Sequence, residues 1–289
     1  MEQIRVNKLS QYIDEIEQLE KKIYNKNDNK KPLTFFFRGQ GNDHKPLPSV
    51  YRDTLIEKED YLYHELILRC PSIFHGMGHL DTLVMMQHYN LPTRLLDVTS
   101  NPLVALFFAC IHYNNGNPLG RVYVYGVSEE NLAYSDSDKA LMLSCLPVLS
   151  VHDRRAILKE INSGNEEFNK TKQGIYFAHT ERLYHEVAKE VPAFKREIKP
   201  IDLVKPLFLK PLRANERILR QDGAFIISGL CADAEDGQKK IEPFCNAMVE
   251  IKDRKELLKE LDSFGVNAAS LFPEIDKVAD FLKNQCIGK

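Results

Sequence analysis

Apolar residues along this chain recur first at helical spacing, then in extended runs, then at helical spacing again. Leu9, Tyr12, Ile13, Ile16, Leu19 and Ile23, with Asp and Glu between them, predict an amphipathic helix of about four turns with Ser10 near its start. The polar run from Asn25 to Pro32 ends it. Leu33-Thr34-Phe35-Phe36-Phe37 predicts a buried strand, and the alternation Arg121-Val122-Tyr123-Val124-Tyr125 predicts another. Short strands follow at Leu207-Phe208-Leu209, fenced by Pro206 and Pro211, at Ala224–Ser228 and at Met248–Ile251. Helices are predicted at Asp60–Ile73, Leu80–His88, Asn101–Tyr113, Asp253–Phe264 and Glu274–Asn284. Asn101–Tyr113 is apolar around most of its circumference and is therefore central. Residues 129–200 are mixed and charged: Leu141–Ile161 has weak helical periodicity, Tyr176-Phe177-Ala178 suggests a short strand, and His179–Val191 reads as helix. The sum is an α+β fold, a small central, mostly antiparallel sheet flanked by helices. Residues 1–29 read as an N-terminal helix and linker, and residues 30–289 as one domain in which 129–200 forms an insertion or lid.

Polar residues crowd into one place. Gln87-His88-Tyr89-Asn90-Leu91-Pro92-Thr93-Arg94-Leu95-Leu96-Asp97-Val98-Thr99-Ser100-Asn101-Pro102 leads directly into the apolar run Leu103–Ala109. Capping accounts for Thr99, Ser100 or Asn101, and Pro102 suits a first helical position. It does not account for His88, Arg94 and Asp97, which point to a cleft. The bland reading of the same residues is an ion pair between Arg94 and Asp97, three apart, that fixes the loop while His88 is satisfied in the core. A second polar cluster, Asn215-Glu216-Arg217-Ile218-Leu219-Arg220-Gln221-Asp222-Gly223, abuts the Ala224–Ser228 strand. At the end of the Leu33–Phe37 strand, Arg38-Gly39-Gln40-Gly41 places a charge where ligands often bind, with glycines that permit close backbone approach.

Charge and cysteine content narrow the classes. The 289 residues carry a formal net charge of −2, which gives no global basic field for nucleic acid or anionic membrane. The six cysteines are scattered without a CxxC pair, as expected of a chain in a reducing cytoplasm rather than of a disulfide framework. No segment approaches the length of a membrane span, and the start of the chain has no apolar signal region. The histidines lack a compact metal-ligand spacing, so no metal is expected. The absence of a GxGxxG or Walker-type loop disfavours dinucleotide-dependent dehydrogenation and P-loop hydrolysis.

FRGQ at 37–40, the block 87–110, NERILRQDGAFIISG at 215–229 and the ending FGVNAASLFPEIDKVADFL resemble the FRG domain of bacteria and phages, over roughly residues 30 to 285. A remoter resemblance is to ADP-ribosyltransferases. Their core begins with a strand ending in an aromatic-Arg-Gly motif, continues to a Ser-Thr-Ser-type motif and closes with a strand led by a catalytic Glu. Phe37-Arg38-Gly39 is similar to the first and Val98-Thr99-Ser100 to the second. Arg220-Gln221-Asp222-Gly223 stands where the third would be, but Gln221 is not a carboxylate.

This likeness implies an ADP-ribosyltransferase-like core that uses NAD as substrate, without metal, in a toxin or phage-defence effector acting on a protein or nucleic-acid acceptor. Arg38, with Gly39 and Gln40, would hold the pyrophosphate, helped by Arg94 or Arg217. Glu216, or next Asp97, would stabilise the positive charge that builds on the ribose as nicotinamide leaves. Gln221 would hydrogen-bond the sugar or amide, His88 would bind a ribose hydroxyl, Tyr89 would stack on nicotinamide, and Thr99 and Ser100 would line the same site. From another class, Arg38, Arg94, Arg217 and Arg220 would form the phosphate cradle of a non-catalytic nucleotide- or nucleic-acid-binding module. A third reading is a metal-free nuclease or hydrolase built on His88 and Asp97.

Overall fold

The computed structural model describes residues 2–27, 31–41, 44–111, 119–163, 175–195, 198–212 and 215–287. Its strands are Glu2–Val6 (β1), Leu33–Gln40 (β2), Leu95–Thr99 (β3), Gly120–Ser128 (β4), Leu132–Tyr134 (β5), Leu207–Lys210 (β6), Gly223–Ile227 (β7) and Ala247–Ile251 (β8). They form one sheet in the order β1-β8-β4-β2-β3-β7-β6-β5. The interior pairs are antiparallel, and only the two edge pairs, β1 with β8 and β5 with β6, are parallel. The expected mixed architecture is therefore present, but the sheet is larger than the five strands legible from sequence.

The three added strands each lack a clear apolar signature. β3 is buried except at Asp97, but Arg94, Asp97 and Thr99 interrupt its apolar pattern, so it reads as a polar loop. β5 is three residues long, and β1 carries only Ile4 and Val6 as apolar positions. Tyr176–Ala178 is a correction of the opposite kind: its backbone belongs to the helix Ile175–Glu190, not to a strand. The helix expected at Asp60–Ile73 is split into Glu59–Arg69 and Pro71–Phe74, because Pro71 has no N–H to continue the first helix. The central helix runs Pro102–Ile111; its expected last residues, 112 and 113, lie outside the described residues, as do linker residues 28–30.

Side chains alternate across a strand, so the Phe37–Thr99 bridge sets which residues share a face. Phe37 lies with Leu95, Asp97 and Thr99, and opposite them lie Phe36, Leu96 and Val98. That second face carries one core, in which Phe36, Leu96, Val98, Tyr125, Phe208 and Ile226 pack. The first face carries two. Over β4, β8 and half of β2, Phe37, Val122, Val124, Val249 and Ile251 pack with Tyr12, Leu106 and Leu257. Over β3, β7 and β6, Leu95, Leu207, Leu209, Phe225 and Ile227 pack with Leu83, Met86, Leu143 and Leu183.

The stretch 129–200 supplies Ala140–Leu149, Ile157, Leu158, Leu183 and Val187 to this third core. The N-terminal segment is likewise built into the sheet. β1 lengthens it in parallel to β8, and the helix Leu9–Lys26 buries Tyr12, Ile16 and Leu19, with Tyr12 Oη donating to the Pro102 carbonyl at 2.8 Å. Among the described residues no helix is long and apolar enough to cross a membrane.

Two glycines set the height of the central helix. A Cβ on Gly39 would lie 1.7 Å from the Ala105 carbonyl oxygen, and one on Gly120 would lie 2.3 Å from that of Ala109. The helix Pro102–Ile111 thus rests backbone to backbone on neighbouring strands β2 and β4. We expect Gly39→Ala to cost about 3 kcal/mol or more, since overpacking here meets main chain rather than a flexible tip. Urea unfolding checks it, and a parental midpoint would contradict the packing described.

Candidate functional site

Between the two cores of the first face the sheet parts. β2 pairs with β4 along its whole length, from Leu33–Ser128 to Gln40–Arg121, and β3 pairs with β7 residue for residue. β2 and β3 meet at one bridge only, Phe37 to Thr99. Beyond it the strands diverge, and the Arg38 side chain spans the gap, Nη1 donating to the Asp97 carbonyl at 2.6 Å. Arg38 Nε is buried and has no hydrogen-bond partner among the described residues. Burial pulls the guanidinium below its ordinary pKa, and the Asp97 carboxylate only partly opposes this.

A cavity of about 500 Å³ occupies the gap. Arg38 to Gly41 border it from the end of β2, Leu95 to Thr99 from β3, and Gln87, His88, Asn90 and Leu91 from the end of the His79–His88 helix and its turn. Arg52 and Ser49, and on the other side Asn215, Arg217, Gln221 and Gly223, complete it. Of the expected site residues, Arg38, Gly39, Gln40, His88, Asp97, Thr99, Arg217 and Gln221 thus converge from three distant segments. Among the lining residues three arginines, Arg38, Arg52 and Arg217, face a single carboxylate, Asp97.

Several of these residues have structural duties that their chemistry did not announce. Gly39 serves close contact with the helix, as described above. The Gln40 amide donates to the His44 carbonyl and so holds its own loop. Thr99 Oγ1 donates to the Gln221 carbonyl at 2.7 Å and accepts the Asn101 N–H at 3.0 Å. Ser100 N–H donates to the Asp222 carbonyl at 3.0 Å. The motif that resembles Ser-Thr-Ser therefore fastens β3 to the turn carrying Gln221. Gln221 Nε2 in turn donates to the Leu271 carbonyl at 3.1 Å.

Four expected site residues do not line the cavity. Glu216 lies on the short helix Glu216–Arg220, its side chain 71% exposed and paired with Arg220 at 3.4 Å. Tyr89 is 58% exposed and sets its ring edge-on to His88. Ser100 is exposed beside the Asp222 carbonyl. Arg94 is fully buried elsewhere: Nε donates to Glu59 Oε1 at 2.9 Å, Nη2 reaches Glu59 Oε2, and Nη1 donates to the Ser228 carbonyl at 3.0 Å. Arg94 therefore does not reach the cavity as expected, and the bland alternative, a pair with Asp97, is also corrected: its partner is Glu59, with Arg154 3.5 Å from the same carboxylate. Alternation explains the exchange: residue 94 directly precedes β3, and continuing the strand's alternation turns its side chain to the face opposite residues 95 and 97.

Burial alone would lower the Arg94 guanidinium, but Glu59 and Tyr51 hold it above its ordinary value, the reverse of the balance at Arg38. Sequence reading missed Arg52 and Asn215, which sit in stretches that read as turn and polar loop. Among the described residues no group of three or more His, Cys, Asp and Glu could hold a metal ion.

A family model, FRG domain, matches residues 33–117. Over that stretch the chain is similar to the FRG domain. No curated protein and no solved structure matches the chain. The matched stretch holds β2, β3, the His79–His88 helix and the central helix, and hence Arg38, His88, Asp97 and Thr99. The matched stretch therefore supplies one wall of the cavity, and Asn215, Arg217 and Gln221 come from beyond the match.

Arg94 and Arg38 should separate in one experiment. Arg94→Met leaves Glu59 buried beside one fewer guanidinium and is expected to cost roughly 3–5 kcal/mol. Arg38→Met keeps the stem and removes an incompletely paired charge, but it also takes the donor from the Asp97 carbonyl, so the cost should be about 1–2 kcal/mol, below that of Arg94→Met. Thermal or urea unfolding reads both, and equal losses would remove the distinction.

Proposed function

We propose that this FRG-domain protein binds NAD in the cavity beside Arg38 and transfers its ADP-ribose to an acceptor. The observation that carries the reading is the convergence of Arg38, Arg52 and Arg217 with a single lining carboxylate on one hollow of about 500 Å³. That volume lies in the ordinary range for small-molecule sites, about 300–1,000 Å³. Guanidinium groups match the oxygens of a pyrophosphate in bidentate geometry, and a buried, unpartnered Nε such as that of Arg38 is a donor awaiting an acceptor.

In the reaction the bond from the ribose anomeric carbon to the nicotinamide ring nitrogen breaks. Its electron pair returns to the ring, neutralising the pyridinium charge. The acceptor's lone pair then forms the new bond to the same carbon, and its proton leaves. Asp97 takes the part of the carboxylate that steadies the positive ribose, because it lines the cavity and Glu216 does not. The acceptor is a protein or a nucleic acid, and a cytoplasmic toxin or phage-defence effector is the biological role that goes with this chemistry.

One observation favours a second reading, nucleotide binding without transfer. The place where a transferase of this kind sets its catalytic Glu is held by Gln221, and its amide is engaged with the Leu271 carbonyl. Calorimetry and thermal unfolding with NAD and with ADP-ribose, together with chromatographic detection of nicotinamide, test the two. Ligand at a hundred times Kd is expected to stabilise the fold by about 2.7 kcal/mol. Arg38→Ala should weaken binding at least about tenfold, the loss of one charge-assisted contact. Nicotinamide release supports transfer, binding without release supports the second reading, and failure of both nucleotides to bind overturns both.

A further inference from the structure

His88 ends its helix and lines the cavity, and its Nε2 lies 3.9 Å from Oε1 of Glu274. About three-quarters of each side chain is withdrawn from solvent. Glu274 is not loosely placed. It follows Leu271-Phe272-Pro273, a strap fixed to the site at several points. The Leu271 carbonyl accepts from Gln221, the Arg217 guanidinium lies 5.2 Å over the Phe272 ring, and Phe272 packs on Phe107 and Phe108 at 6.4 and 6.0 Å. Two elements, the Glu216–Arg220 helix with its cap and the central helix, thus hold the strap beside the cavity.

Two atoms of this pair are buried without hydrogen-bond partners among the described residues: His88 Nδ1 and Glu274 Oε2. An unpaired buried polar atom costs about 1–3 kcal/mol, so an imidazole that lines the cavity and a carboxylate packed behind it, each carrying one, call for a partner that a rearrangement on ligand binding would supply.

We propose that Glu274 is a positioning residue that holds His88 in the tautomer protonated on Nε2, leaving Nδ1 as the base that receives the acceptor's proton. The assignment rests on the transferase reading of the cavity. As the acceptor's lone pair forms its bond to the anomeric carbon and nicotinamide departs with its electron pair, the acceptor's proton passes to Nδ1. The resulting imidazolium faces the Glu274 carboxylate and the negative end of its own helix. A separation of 3.9 Å is longer than a hydrogen bond, and pairs of this kind tighten when the ligand is in place. The arrangement follows the general logic by which a carboxylate orients an imidazole whose other nitrogen carries the proton transfer.

The test uses the full chain with Glu274→Gln, Glu274→Asp, His88→Gln and the double variant His88→Gln/Glu274→Gln. The tautomer of the His88 ring, read from its nitrogen NMR shifts, is followed alongside NAD affinity and nicotinamide release. The parent should hold the proton on Nε2, and Glu274→Gln should lose that preference. Arg38, Arg52, Arg217 and Asp97, the charged groups lining the cavity, are unchanged in that variant, so the difference reads Glu274. Glu274→Asp should restore the parental tautomer in part. NAD affinity should stay within about twofold in Glu274→Gln while turnover falls about tenfold or more, with His88→Gln and the double variant equally slow.

An unchanged His88 tautomer, or parental turnover in Glu274→Gln, overturns the proposal. Absence of turnover in the parent defeats the transferase reading instead, and the His88 tautomer then still decides whether the two residues are paired.

Discussion

The structure depends on the parting of its sheet after one backbone bridge, Phe37 to Thr99. Two firmly paired halves, β2 with β4 and β3 with β7, each keep their ladder hydrogen bonds. Their separate cores lie on the same face, and each half is covered by its own helices. A gap in a sheet exposes backbone groups that need partners. Here one is met by a side chain, the Arg38 guanidinium on the Asp97 carbonyl. That single contact explains why an arginine stands at the end of a run of buried phenylalanines. It also explains why the site forms there and not at a strand edge.

Two arginines that look alike in sequence separate cleanly once charge balance is considered. Arg94 is enclosed, matched by Glu59 and a carbonyl, and its charge is favoured by its surroundings. Arg38 is disfavoured as a charge and incompletely partnered. A fully satisfied buried ion fixes structure, whereas an unsatisfied one at a cavity wall is in position to bind. The same distinction sorts the polar block after the His79–His88 helix. Thr99 and Ser100 tie β3 to the Gln221 turn, while Asp97 faces open space.

Sequence periodicity located β2, β4, β6, β7 and β8 and most of the helices, because in each the apolar signal exceeds the polar one over four or more residues. It failed at β3, where the residues that make the site interrupt the strand's apolar pattern. Within residues 129–200 it found helix at Leu141–Ile161, which the structure divides into three pieces, and at His179–Val191, but it misread Tyr176–Ala178 as strand. Convergence of Arg38, His88, Asp97, Thr99, Arg217 and Gln221 was legible, since each sits at the border between a polar cluster and a buried element. The direction of a side chain was not: Glu216 and Arg217 are neighbours, and one helical step separates solvent from cavity. Glu274 was out of reach for a related reason, since nothing local marks a residue that is brought to His88 from almost two hundred positions away.

A crystal structure of the NAD complex tests the central claim most directly. The account requires the pyrophosphate to lie in the gap between β2 and β3, within hydrogen-bond distance of the Arg38 guanidinium, with the ribose toward Asp97. NAD bound elsewhere, or an empty gap at saturating NAD with Arg38 unmoved on the Asp97 carbonyl, would contradict it.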